Sequence, residues 1–508
     1  MGLEYDIANP RSSRLFESLR AFGYDLSTAV ADLIDNSISA QARNIWVDFM
    51  WAGQTSRVLV KDDGQGMSEA RLVEAMTPGS ESPRELRGEA DLGRFGLGLK
   101  TASISQCRCL TVITKEHDGP IVWRRWDLDY IAREGNSEWR LLKGDSLLSQ
   151  ADRDLLIGMD SGTVVIWDRL DHLAGEANED DETKQRHFRE RIDAVKLHLA
   201  MTFHRFLSGK GAIRLHLNGR GIEPWNPFLE GHPALDPLSM EQLSLNGDRI
   251  QVRPFVLPHH SKLTPQQHSC AAGPKGWNEH QGFYIYRKNR LLVAGDWLGL
   301  GMQKEEHCKL ARIAVDIPGS TDLLWQLDVK KSKAIPPPEL QPDLRRIARA
   351  TRNKAANVYR HRGRVLQRQN SRGDVFLWSH VKRHGKTSYK ISREHPLVKK
   401  ALETTMDRAA LSNLLRMIEQ TVPAPLIVLQ NSEAPDSLAI PFEDDANGMQ
   451  EAMTITYQAM IEQGKTPREA AEYLVVMEPF NLHPDLITAF LEKISPPRSR
   501  VSTDRVPT

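Results

Sequence analysis

Three short segments within the first 103 residues constrain the fold of this chain more than any other feature: ADLIDNS at 31–37, DDGQG at 62–66 and GRFGLGLKTAS at 93–103. The first belongs to a helix. Leu26, Ala29, Val30, Leu33, Ile34 and Ser37 recur at helical spacing and form a buried stripe. Asp32 and Asn36 then share another face, one turn apart. The second segment closes a strand: RVLVK at 57–61 runs into Asp62, and Gly64 and Gly66 let the backbone turn sharply and approach a ligand. The third places Gly93, Gly96 and Gly98 in a GxxGxG order at the start of a helix. Backbone N–H groups and the helix dipole favour an anion there. That glycine order is neither the Walker A loop nor the dinucleotide fingerprint GxGxxG.

Together these residue types suit a purine nucleoside triphosphate. Asp62 would accept a hydrogen bond from an exocyclic amine such as that of adenine, Gly64 and Gly66 would leave room for a flat ring, and Met67 would pack on it. Asn36 offers an amide oxygen to Mg²⁺, a hard ion that otherwise prefers water and phosphate oxygens. Asp32 would orient or deprotonate the attacking water, with Asp35 as a rival acid on the same helix. Gly93, Arg94, Phe95, Gly96, Leu97, Gly98 and Thr101 make up the phosphate-wrapping stretch, and Lys100 adds a cation. Thr163, opening a strand at 161–165, is placed to meet the purine edge or Asp62. Each feature alone has a plainer explanation: a strand-end turn, a flexible linker, a solvated helix face. Order and spacing give the set its weight.

The surrounding pattern reads as helices at 12–22, 25–38 and 68–76, strands at 45–50, 57–61, 109–114, 121–127 and 162–168, and a polar loop at 77–92. Such interleaving predicts an α/β sandwich, helices layered on one sheet. The acidic run EANEDDE at 176–182 is the expected boundary. Beyond it come a helix at 188–207, strands at 212–217, 249–256, 282–286 and 311–317, an irregular excursion at 257–280, and a long basic helix from 344 to about 367. The expected domains are therefore 1–175, 176–370 and 371–508, the last mixed and mainly helical with a polar, disordered tail from about 494. Net charge is only +1, so any nucleic-acid signal must be local. The segment 344–372 supplies one: ten Lys or Arg and no Asp or Glu, around a stripe of Leu344, Ile347, Thr351, Ala355, Val358 and Val365. Its alternative is a dimer-facing helix that pairs with an acidic region. Four cysteines, with Cys107 and Cys109 facing one side of a strand, make no disulfide framework. With no leader pattern and no apolar run approaching a membrane span, a cytoplasmic protein with reduced thiols is expected.

The four segments 29–40, 62–66, 93–98 and Gly162–Thr163 resemble, in order, the N-box helix, DxGxG turn, lid glycines and later Gly-Thr of the GHKL (Bergerat-fold) ATPases. The wording LIDNS and GRFGLGLKTAS is most similar to MORC-type and related prokaryotic members. The resemblance implies a Bergerat-fold α/β ATPase domain, an α/β transducer domain, ATP and Mg²⁺ as ligands, and ATP-dependent homodimerisation. It also implies a transducer lysine at the γ-phosphate, for which DVKKSKA at 328–334 offers Lys331 first and Lys330 second. For MORC-like prokaryotic proteins it implies DNA as partner, and a nuclease or other defence-system protein as associate. One departure stands out. The family's hydrolytic acid is normally Glu, and this chain has the shorter Asp32. A misplacement of about 1 Å can lower a rate on the order of a hundredfold, so slow turnover is expected. The alternatives are a chaperone-like remodelling ATPase and a module that holds ATP without cleaving it. A histidine kinase is disfavoured because no His lies in the residues before the N-box, and a MutL-type nuclease because the last third lacks clustered metal ligands.

Overall fold

The apolar stripe of residues 26–37 does form a helix, α2 (Leu26–Ser39), and every member of that stripe is buried. Asp25 caps it, accepting the Thr28 backbone N–H at 3.0 Å. The structure is a computed structural model. It describes residues 11–494 except 22, 80–97, 134–137, 323, 328–333, 369–376, 384–385, 424–425, 428–440, 443–444, 478 and 481–482; the side chains at 261, 359–368, 380–387, 476 and 484 also lie outside the description. Two units compose the chain, 1–359 and 360–508.

In the first unit, α1 (Ser12–Arg20), α2, α4 (Gly98–Gln106) and the helix Glu182–Thr202 share one core with a seven-stranded sheet. The buried Arg20 guanidinium ties α1 to α4, donating to the carbonyls of Ile104 at 3.0 Å and Cys107 at 2.9 Å. The strands are β1 (Asn44–Met50), β2 (Arg57–Asp62), β3 (Cys109–Lys115), β4 (Val122–Asp127), β5 (Gly162–Asp168), β6 (Arg214–Leu217) and β7 (Arg220–Gly221), in the order β4-β3-β5-β2-β1-β6-β7. All neighbours are antiparallel except β1 and β6. The helix-facing residues of β1, Ile45, Val47 and Phe49, alternate with partly exposed ones, as a sheet with one covered face requires. On the other face, Leu59, Ile113, Trp123, Val164 and Ile166 pack under Leu148 and Leu156, so the middle strands are covered on both sides.

The acidic run at 176–182 therefore does not end the first sheet. The following helix contributes Phe188, Val195 and Leu199 to the first core, and β6 pairs with β1, Arg214 opposite Asn44. Parallel pairing with a strand so distant in sequence leaves no local periodicity, which is why composition put the boundary too early. Cys107 also differs from expectation. It follows α4 rather than lying in a strand, with its Sγ 3.2 Å from the Ser103 carbonyl, and both it and Cys109 are free and buried.

A second sheet holds β8 (Asp236–Pro237), β9 (Glu241–Leu245), β10 (Asp248–Val256), β11 (Gly282–Arg287), β12 (Arg290–Asp296) and β13 (Ala311–Ile317), ordered β12-β11-β13-β10-β8 with β9 on β10. The long helix Gln341–Arg368 buries Leu344, Ile347, Ala348, Thr351 and Ala355 beside this sheet's core. The first part of its predicted stripe, from Leu344 to Ala355, is thus a face that anchors it, a fully buried Leu or Ile side chain contributing about 1.5–3 kcal/mol; Val365 lies outside the described side chains.

The second unit has a hairpin, Trp378–Arg383 with Lys386–Ile391, and helices at Pro396–Thr404, Arg408–Gln420, Ala446–Glu462, Pro467–Val476 and Pro484–Ile494. Met449, Met453, Met460, Leu474 and Phe490 form its core. No helix among the described residues is long and apolar enough to cross a membrane.

Candidate nucleotide site

Asp62 ends β2 and is 6% exposed. One carboxylate oxygen accepts the Ser37 hydroxyl at 2.7 Å and the other the Gly64 backbone N–H at 2.9 Å. Burial pushes its carboxyl above the usual range, while Ser37, Gly64 and the Thr163 backbone favour the charged form. The turn that follows requires glycine at Gly66: φ is +69°, and a Cβ there would stand 1.9 Å from the Lys115 carbonyl oxygen. Gly162 lies opposite, where a Cβ would stand 2.3 Å from the Asp62 carbonyl oxygen. Thr114 Oγ1 joins this corner, accepting the Met67 N–H at 3.0 Å and meeting Thr163 Oγ1 at 3.0 Å. Asp62, Gly64, Gly66, Met67 and Thr163 thus converge on one corner, and their donor set fits an adenine. A carboxylate offers about four acceptor positions, so Asp62 keeps capacity for an amine after its hydroxyl and amide partners.

Along α2, Asn36 is exposed whereas Asp32 and Asp35 are 4% and 1% exposed. The buried Arg290 separates the two rival acids. Its Nε donates to the Asp35 carboxylate, 2.8 and 2.7 Å from the two oxygens, and Nη2 stands 3.7 Å from Asp32 Oδ1. Asp32 Oδ2 faces the start of α4, 3.9 Å from the position of a Cβ on Gly98. Asp35 is therefore engaged by Arg290, and Asp32 is the acid turned towards the glycine segment.

Of that segment, Gly93, Arg94, Phe95, Gly96 and Leu97 lie outside the described residues, and so do Lys330 and Lys331. Gly98 opens α4. Lys100 is placed differently from expectation. Its ammonium donates to the carbonyls of Ala75 at 3.0 Å and Thr77 at 2.9 Å, at the C-terminal end of α3 (Glu69–Met76), where a helix presents bare carbonyls and negative potential. Thr101, one residue on, has a buried hydroxyl with no hydrogen-bond partner among the described residues, which a phosphate oxygen would satisfy. Asn36 supplies a single amide oxygen, which suits Mg²⁺ held mainly by phosphates and water. Among the described residues no cluster of three or more His, Cys, Asp or Glu side chains is arranged to hold a metal.

Sequence reasoning missed Ser37 as the partner of Asp62, Thr114 as the hinge of the corner, and Arg290. Ser37 was legible as a polar member of an otherwise apolar stripe; Arg290 left no local signal.

Residues 24–163 match the family described as Histidine kinase-, DNA gyrase B-, and HSP90-like ATPase. This segment is a domain of that GHKL family. A stretch of 94 residues is 33% identical to ATPase morc-1 of Caenorhabditis elegans, covering 18% of this chain and 10% of that protein. The chain thus spans only a small part of that relative's length. Among solved structures, the N-terminal domain of a DNA repair protein superposes with a TM-score of 0.39 at 15% identity, over 69% of this chain and 99% of that one. The ATPase and transducer domains of DNA topoisomerase II from Balamuthia mandrillaris give 0.36 at 13% identity, over 67% and 86%.

Proposed function

We propose that this protein is a slow ATPase whose nucleotide cycle drives dimerisation on DNA, in prokaryotic genome defence or DNA metabolism. The observation that carries the ATP reading is the buried Asp62 carboxylate, held by Ser37 and Gly64 with acceptor capacity remaining. In this reading Asp62 takes the adenine amine, Asn36 holds Mg²⁺ on the phosphates, and the glycine segment with Thr101 wraps the phosphate chain. Asp32 accepts the proton of the attacking water, and a lysine of 328–334, Lys331 before Lys330, stabilises the transferred phosphoryl group.

DNA binding rests on the composition of the basic helix. In its first half several cations are held within the chain: Arg346 by Glu241 and Asp343, Arg352 by Glu305 at 3.0 Å and the Gln303 carbonyl at 2.6 Å, and Lys354 by Asp236 at 2.7 Å. The DNA reading therefore falls on the later residues of 344–372, from Arg360 onward, with sequence-independent backbone contacts. Dimerisation and a defence-system partner come from the MORC resemblance.

Single-turnover ATP hydrolysis by wild type and Asp32→Ala tests the reading. The variant should lose about a hundredfold or more in rate while still binding ATP. Equal rates would remove Asp32 from the chemistry. A wild type that binds ATP but never cleaves it would favour the ATP-holding alternative.

A further inference from the structure

The hairpin turn between β11 and β12 is built to present one residue. Lys288 and Asn289 both have positive φ, 47° and 69°, as a two-residue loop of matching twist requires. Directly after it, Arg290 leaves the second sheet and reaches α2 of the first. Its three nitrogens have three tasks. Nε binds Asp35, Nη1 donates to the Leu291 carbonyl at 3.1 Å, and Nη2 stands 3.7 Å from Asp32. The side chains of Arg290, Asp32 and Asp35 are 5%, 4% and 2% exposed. Two carboxylates one turn apart at such burial repel strongly. A structural ion pair would need only Asp35.

We infer that Arg290 is a positioning residue for ATP hydrolysis, an arm of the second sheet that acts through Asp32. By engaging Asp35 it decides which of the two acids faces the phosphate end of the site. Its Nη2 fixes the direction of the Asp32 carboxylate towards Gly98. Movement of the β11–β12 turn relative to α2 would turn that carboxylate away, so Arg290 governs turnover without itself touching the nucleotide. The inference rests on Asp32 as the base.

Two variants test it. Arg290→Lys keeps a charge for Asp35 but loses the planar fork that also reaches Asp32. The double variant Arg290→Met with Asp35→Asn removes the ion pair as a unit and leaves no uncompensated buried charge on Asp35 or Arg290. Both are expected to bind ATP within about twofold of wild type and to hydrolyse it about ten- to a hundredfold more slowly in single turnover. A purely structural Arg290 predicts that the double variant regains the wild-type rate, and that result overturns the inference. So does a wild-type rate in Arg290→Lys, or a rate loss matched by an equal loss of ATP affinity. Asp32→Ala separates the failures: a fast Asp32→Ala sinks the base itself, whereas a slow Asp32→Ala beside a fast double variant sinks only the role of Arg290.

Discussion

Two buried charges of opposite sign, Asp62 on the first sheet and Arg312 on the second, show how differently a fold can house an ion. Neither makes an ion pair among the described residues. Arg312 is fully buried, donates to the carbonyls of Pro227 at 2.5 Å and Ala271 at 2.7 Å, and lies between the rings of Trp225 and Trp277 at 5.6 and 5.5 Å. Burial lowers its pKa without a carboxylate to offset it. The guanidinium clamps the 257–280 segment, which includes the helix Pro265–Ala272, onto the second sheet through carbonyls and cation–π contacts, its Nε having no hydrogen-bond partner among the described residues. Asp62 sits instead among glycines, hydroxyls and backbone amides, with acceptor positions still available. A charge sealed by aromatic rings is a structural clamp; a charge set beside a glycine turn is ready for a ligand.

Arg312→Ala is the sharpest way to break that contrast. Truncating so large a buried side chain is expected to lower unfolding free energy by about 3–5 kcal/mol in urea titrations, with ATP affinity per folded molecule unchanged. Parallel loss of ATP affinity would make the clamp part of the ligand site.

A smaller effect follows from pH. Burial pushes His204 and His280 down to about 3, and His204 is also bonded to the Tyr286 hydroxyl at 2.9 Å. Both are neutral in the folded state, whereas the unfolded chain takes up protons near 6.5. Their contribution is complete above that value and is lost as pH falls towards 3, about 2 kcal/mol for each by pH 5. Asp62 acts in the other direction, because its raised carboxyl is relieved by protonation. Denaturation midpoints at pH 7.5 and 5 should therefore differ by more in Asp62→Asn than in wild type. Equal differences would mean that Asp62 is not strained by its burial.

The region around the first sheet was readable because its signals are local. The stripe of α2 and the Asp62–Gly64–Gly66 turn lie within short spans, where periodicity and glycine sterics leave few options. Four placements were not readable, for physical reasons. Arg290 meets Asp35 across 255 positions of sequence. β6 joins β1 by a long-range parallel pairing. Lys100 was identifiable as a cation, but the carbonyls of Ala75 and Thr77 that hold it arise only when α3 packs beside α4. Arg346, Arg352 and Lys354 read as part of a DNA-binding basic face, because the acids that hold them, Glu241, Glu305 and Asp236, lie far away in sequence.

The central claim is that Asp62 reads the adenine of a bound nucleotide. Calorimetric titration of ATP into wild type and Asp62→Asn tests it most directly. Replacing the carboxylate acceptor with an amide should weaken binding by about 1.5–3 kcal/mol, roughly ten- to a hundredfold, while folding stability stays within about 1 kcal/mol of wild type. Equal ATP affinity in the two proteins, with the variant fully folded, would contradict it.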